Sequence, residues 1–188
     1  GSFDGAIAAV PPDRQAHWAA QGLRRRMDFA LRCAYAHGTG AIRTHLDSAA
    51  PQDAISWPVF REMREDWSDR ITLQAVCLVG LDEAVSDPAF AQTADIVAQS
   101  GGVLGCATYP MPDPHVATRD FLSIAQSRGL AVDMHVDETA DPSSNYLRLI
   151  AETVLEMSFD APVTVGHCCS LAMQDEAEAM QTLDLVAK

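Results

Sequence analysis

The chain has 188 residues, 48% of them hydrophobic and 21% charged, and a formal charge of -13. That length and balance give one domain with a real core and exclude a disordered chain. The acidic excess argues against nucleic acid and anionic membrane as partners, because both reward Lys and Arg, and no apolar run approaches the ~20 residues of a membrane span.

The opening Gly1-Ser2 reads as a cloning scar, which leaves a single α/β domain over 3–188. No signal peptide is visible, and five cysteines without framework spacing fit a reducing, cytoplasmic setting. Lys188 is the only lysine, so the body of the chain offers no Schiff-base lysine and no lysine bridge between metals.

In chain order, short β-rich apolar runs alternate with longer amphipathic stretches. Helix-like "QAHWAAQGLRRRMDFALRCAYAH" closes at Gly38 and leads into strand-like "AIRTHLD". "PVFREMREDW" precedes "ITLQAVCLV", and "DPAFAQTADIVAQSGG" precedes "VLGCATY". "PHVATRDFLSIAQSRG" precedes "LAVDMHVD", "NYLRLIAETVLEM" precedes "PVTVGHC", and "DEAEAMQTLDLVAK" forms a last helix. Asp113 before Pro114 suits an N-cap with Pro at the first helical position. Gly129 after Arg128 suits a helix stop with a cation in the last turn.

The strand ends fall near Asp47, Val79, Thr108, Glu138 and Cys169, with gaps of 32, 29, 30 and 31 residues. One βα unit per step implies a parallel sheet with helical crossovers. The unit fits an open doubly wound sheet or part of a (β/α)8 barrel, which normally needs about 250 residues. Rhythm alone leaves both open.

In either architecture the site lies at the carboxyl ends of the strands. There the sequence places Arg43, Thr44, His45 and Asp47, then His135, Asp137 and Glu138, then His167, Cys168 and Cys169. A neutral imidazole at such a position is a natural ligand for zinc or iron, and a carboxylate just past the strand can carry protons. His45 reads as a structural residue with Arg43 and Asp47 as local partners. Cys168-Cys169 reads as a packed pair, Arg24-Arg25-Arg26 as the wet side of a helix, and "GGVLG" as a helix-to-strand turn. His17, His37 and His115 read as surface or capping residues, and Asp141-Pro142-Ser143 as a turn and helix start.

Taken together, "AIRTHLD", "LQAVCLV", "DMHVDETADPSSNYL" and "VTVGHCCSLA" resemble the cytosine-deaminase-like branch of the amidohydrolase superfamily. Its members carry a similar "RTHVD" strand, an "HCDE" strand followed by an acidic turn, and an "SHTT" strand at comparable spacing. The resemblance favours the barrel over the open sheet and implies a metal-dependent hydrolase acting on a C–N bond of a cyclic amide or amidine. It implies one divalent metal, Zn or Fe, with His135 as ligand, Glu138 as proton shuttle and His167 polarising or orienting the nucleophile. It places Asp137 and Tyr109 at the substrate. The missing internal lysine fits a mononuclear site, since two-metal relatives bridge their ions with a modified lysine.

Two departures cast doubt on cytosine itself. Leu78-Val79-Gly80 stands where the family has "FPQ", and Tyr109 stands where it has a His. No H-x-H, the family's first metal pair, occurs in the chain, and no Asp ligand from a last strand is assignable. The expectation is therefore barrel strands two to six with their helices, inactive alone, with exposed sheet edges that favour a homo-oligomer. Two other readings stand beside it: an incomplete barrel serving as a binding or assembly module, and a complete doubly wound domain holding a small ligand.

Overall fold

The structure, a computed structural model, describes residues 3–188, so the expected cloning scar lies outside the described residues. The opening helical stretch is two helices, α1 (Phe3–His17) and α2 (Ala20–Ala36). They break at Trp18-Ala19, where Ala19 is extended (φ -72, ψ 155) and the Trp18 carbonyl accepts a hydrogen bond from Gln52 Nε2 at 3.2 Å.

From there the alternation runs as the sequence predicts. The elements are β1 (Ala41–Asp47), α3 (Asp53–Asp66), β2 (Thr72–Leu78), α4 (Leu81–Ser86), α5 (Phe90–Gln99), β3 (Leu104–Ala107) and α6 (Pro114–Gln126). They continue with β4 (Val132–Val136), α7 (Tyr146–Met157), β5 (Val163–His167), a 3-10 turn (Cys169–Met173) and α8 (Glu176–Val186). The short α4 and the 3-10 turn carry no signal that the periodicity resolves. Pro114 opens α6 as expected, but Asp113 is left-handed (φ 49) and makes no side-chain cap, which needs extended backbone. Gly129 (φ 61) ends that helix as expected, and Arg128 Nη1 returns to the Ile124 carbonyl at 3.2 Å.

Every strand pairing is parallel. β1 pairs with β2, β3 with β4 and β4 with β5, while the Val76–Val103 and Gly80–Ala107 bridges join β2 to β3. The spatial order therefore follows the chain, β1-β2-β3-β4-β5, without the reversal of a doubly wound sheet.

The sheet also curls. Adjacent strands lie about 4.8 Å apart, so a flat sheet would hold β1 about 14 Å from β4 and about 19 Å from β5. Yet the His45 and His135 ring centroids are 4.5 Å apart, and Arg43 Nη1 lies 3.5 Å from Thr164 Oγ1. Sequential order and curl together make this a barrel segment.

Alternation along the strands separates two environments. Ala75, Cys77, Leu104, Cys106, Val132, Met134 and Val136 are buried beneath the helices, which contribute Trp57, Phe60, Phe121, Leu122 and Ile150 to the same core. Arg43, His45, Gln74, Asp133 and His135 share the opposite, polar face. Burial pushes the Cys77 thiol up to about 12, so it is an inert part of the packing. No helix among the described residues is long and apolar enough to cross a membrane.

The seam between β2 and β4 is made by the short β3, and Gly105 sets its width. A Cβ there would lie 2.5 Å from the Cys77 carbonyl and press equally on that of Asp133. Gly105→Ala should therefore cost about 1–3 kcal/mol through overpacking. Urea unfolding checks this, and wild-type stability would show that the seam has room to spare.

Candidate active site

The ends of β4 and β5 turn sharply. Asp137, His167 and Cys168 have positive φ values of 51, 67 and 50. Such values are uncommon outside glycine, though Asp tolerates them best of these three. The register pairs His135 with Gly166 and Val136 with His167. Strict alternation would thus send His167 with Val136 into the helix layer. The left-handed turn takes it out of that alternation, and its Nε2 lies 3.2 Å from His135 Nδ1 and 3.6 Å from Glu138 Oε2.

Glu138 is presented by Asp137, whose own carboxylate is buried and fully engaged. Its Oδ1 accepts from Ser144 Oγ at 2.7 Å and the Tyr146 N–H at 3.0 Å, and its Oδ2 accepts from the Leu147 N–H at 2.9 Å. A carboxylate on free N–H groups at a helix start is a favourable pairing, here made from another strand. The Asp137 carbonyl accepts from the N–H groups of Cys169 and Ser170 at 3.0 and 3.3 Å. One residue thus ties the β4 exit, the start of α7 and the β5 exit together.

A cavity of about 460 Å³ opens beside these strand ends. Thr108, Tyr109, His135, Asp137, Glu138, Ser144 and Tyr146 line it, with Ala8 of α1. Tyr109 is well exposed, and its carbonyl accepts from Tyr146 Oη at 2.6 Å. Burial raises both phenols above the ordinary range, which keeps their hydroxyls protonated as donors. All five residues singled out from the sequence, His135, Asp137, Glu138, His167 and Tyr109, are gathered in this one region. Four of them line the cavity, and His167 adjoins it through His135 and Glu138.

The donors suit a divalent ion. The ligand atoms of His135, Glu138 and His167 lie within 4.8 Å of one another. Two imidazole nitrogens on one tetrahedral ion, each at about 2.0–2.1 Å, sit about 3.3 Å apart, close to the separation seen here. Burial holds His135 below the ordinary histidine range, assisted by His45 and His167 and opposed by Glu138 and Asp133. Imidazole binds metal in its neutral form, so that shift favours a ligand.

His45 departs from its local reading. It packs edge-on against His135 and faces Asp133, while Arg43 pairs with Asp133 and Asp47 with Arg14 at 3.3 Å. The signal was its place on the same inner face as Arg43, but its partner lies 88 residues away, beyond any local pattern (133 minus 45). Ser144 and Tyr146 also escaped the sequence reading. Of the other local readings, Arg24, Arg25 and Arg26 are exposed and His37 Nδ1 lies 2.7 Å from the Cys33 carbonyl at its helix end. Asp141-Pro142-Ser143 forms the turn but α7 starts only at Tyr146, and the end of "GGVLG" is already strand β3. Cys168 packs on the core with its thiol raised by burial, while Cys169 is exposed, so only half of the expected packed pair forms.

No family model matches the chain. It is 52% identical, over all 188 residues, to a pterin deaminase from Rhizobium rhizogenes (strain K84 / ATCC BAA-868). The chain spans 43% of that relative's length. N-isopropylammelide isopropylaminohydrolase from Burkholderia multivorans ATCC 17616 superposes with a TM-score of 0.78 at 26% identity, over 96% of this chain and 46% of that one. Both likenesses support the resemblance to the cytosine-deaminase-like branch of the amidohydrolase superfamily. The fold is shared too with 5-methylcytosine deaminase from Klebsiella pneumoniae, liganded with 5-fluorocytosine: TM-score 0.77, 22% identity, 94% of this chain and 43% of that one. The five parallel strands are accordingly a segment of an amidohydrolase barrel.

Asp137→Asn keeps the shape and tolerates the left-handed backbone, but it turns one accepting oxygen into a donor facing the start of α7. It should lower unfolding stability by about 1–3 kcal/mol. Chemical denaturation checks this, and an unchanged midpoint would show that the carboxylate does not hold the loop.

Proposed function

We propose that the chain carries the β4–β5 side of the active site of a metal-dependent hydrolase that deaminates a cyclic amide or amidine within a small heterocycle. The supporting observation is the convergence of His135, Glu138 and His167 on adjoining strand ends beside the cavity. The names of the relatives, a pterin deaminase and a 5-methylcytosine deaminase, support a ring of pterin or pyrimidine type.

His135 would hold the metal, with His167 and Glu138 in the same donor cluster. When bound, a divalent ion, zinc or iron, supplies the Lewis acidity that makes water a nucleophile near neutral pH. Glu138 takes the proton of that water as its oxygen attacks the ring carbon, and delivers it to the departing nitrogen as the C–N bond breaks. The half-exposed Glu138 carboxylate can reach both partners from its place at the cavity wall. His167 orients the attacking oxygen, and Tyr109 contributes a ring and a protonated hydroxyl to the substrate side. Asp137 serves the substrate indirectly, by fixing the loop that flanks it.

Activity belongs in this proposal to the whole protein. The 188-residue stretch is inactive alone, because the inner-face side chains Arg43 and His45 stand open to solvent and the donor cluster needs the rest of its barrel wall. Its open edges favour self-association, and the five free cysteines support a reducing, cytoplasmic setting.

The test uses the full-length protein loaded with zinc or iron, assayed for ammonia release from cytosine and from pterin. Glu138→Gln, which keeps the shape but cannot shuttle a proton, should lower kcat by about 10²–10⁴-fold with the fold intact. Undiminished turnover in that variant would remove Glu138 from the chemistry.

A further inference from the structure

We propose that Arg43, Asp133 and His45 form a clasp across the barrel interior that positions the His135 imidazole, making His45 a positioning residue of the site. The inference rests on reading His135 as a metal ligand.

Two facing rows of side chains carry it. Arg43 and His45 are two residues apart on β1, and Asp133 and His135 are two residues apart on β4, so each pair shares a face. Asp133 is only 5% exposed, and a buried carboxylate must find partners. Its Oδ2 accepts from Arg43 Nη1 at 2.6 Å, and its Oδ1 faces His45 Nε2 at 3.8 Å. Arg43 is fixed in turn, since its Nε donates to Gln74 Oε1 at 2.6 Å and its Nη1 approaches Thr164 Oγ1 at 3.5 Å. A single guanidinium therefore links β1 to β2, β4 and β5.

His45 passes this anchoring upward. Its ring meets the His135 ring edge-on, at 76° and 4.5 Å between centroids. That contact closes one side of His135 while His167 closes another at 4.8 Å. Neither Arg43, His45 nor Asp133 lines the cavity at the ends of β4 and β5. Stability alone is a poor explanation, because Arg43 stands open to solvent and such an ion pair contributes little net stability. What the arrangement supplies is orientation, the usual part of residues that stand behind a metal ligand.

The experiment uses the full-length protein with Co(II) as the probe, reading affinity by chelator competition and the visible absorption of the bound ion. His45→Phe keeps the edge-on packing and removes the nitrogen that faces Asp133. Asp133→Asn keeps the shape and removes the charge. Each should weaken Co(II) binding by about 10–100-fold and alter the absorption bands. The double variant should be no weaker than the worse single one, because both act along one path. Wild-type affinity and spectrum in His45→Phe would overturn the clasp, as would a loss in His45→Phe with none in Asp133→Asn. His135→Ala separates the two levels. Unchanged Co(II) affinity in that variant would overturn the metal reading itself, and the clasp with it.

Discussion

The curl of the parallel sheet is the constraint on which the site depends, because it is what brings β1 within reach of β4 and β5. Small residues on the inward face of β3, Gly105 and Ala107, let the sheet bend between two rows of larger polar side chains. The apolar residues of the same strands face out and are covered by helices, so burial of the core and exposure of the polar face follow from one alternation. In a flat sheet His45 and His135 would be separate surface histidines. In the curled one they are in van der Waals contact.

A second constraint acts at the strand ends. Both β4 and β5 leave the sheet through left-handed residues, and those turns aim Glu138 and His167 at each other. Uncommon backbone conformations persist where their surroundings over-determine them. Here Asp137 does so, with its carboxylate on the start of α7 and its carbonyl on the β5 exit. Glu138, the proposed proton carrier, therefore follows a well-anchored residue of the loop, which limits the positions it can sample.

Much of this was legible in the sequence. The 30-residue rhythm gave the parallel sheet because a βα unit has a nearly constant length, and His135, Glu138 and His167 were visible because each falls at the end of an apolar run. The parts that were not legible share a physical cause: they depend on partners far along the chain or on backbone geometry without a residue signature. His45 faces Asp133 across the barrel, and no local pattern predicts that pair. The break at Trp18-Ala19 depends on Gln52, whose hydrogen bond to a carbonyl has no counterpart in helical periodicity. Asp113 precedes a helix with the right chemistry for a cap but the wrong backbone, and His167 shows no sequence sign of its left-handed turn.

In the proposed enzyme the curled sheet builds one metal centre where the ends of β4 and β5 meet. Anomalous diffraction at the zinc edge, on crystals of the full-length protein grown with zinc, measures this directly. The expected result is an ion within about 2.0–2.1 Å of a nitrogen of His135, beside Glu138 and His167. An anomalous peak elsewhere in the barrel, with those two imidazoles hydrogen-bonded only to each other, would contradict it.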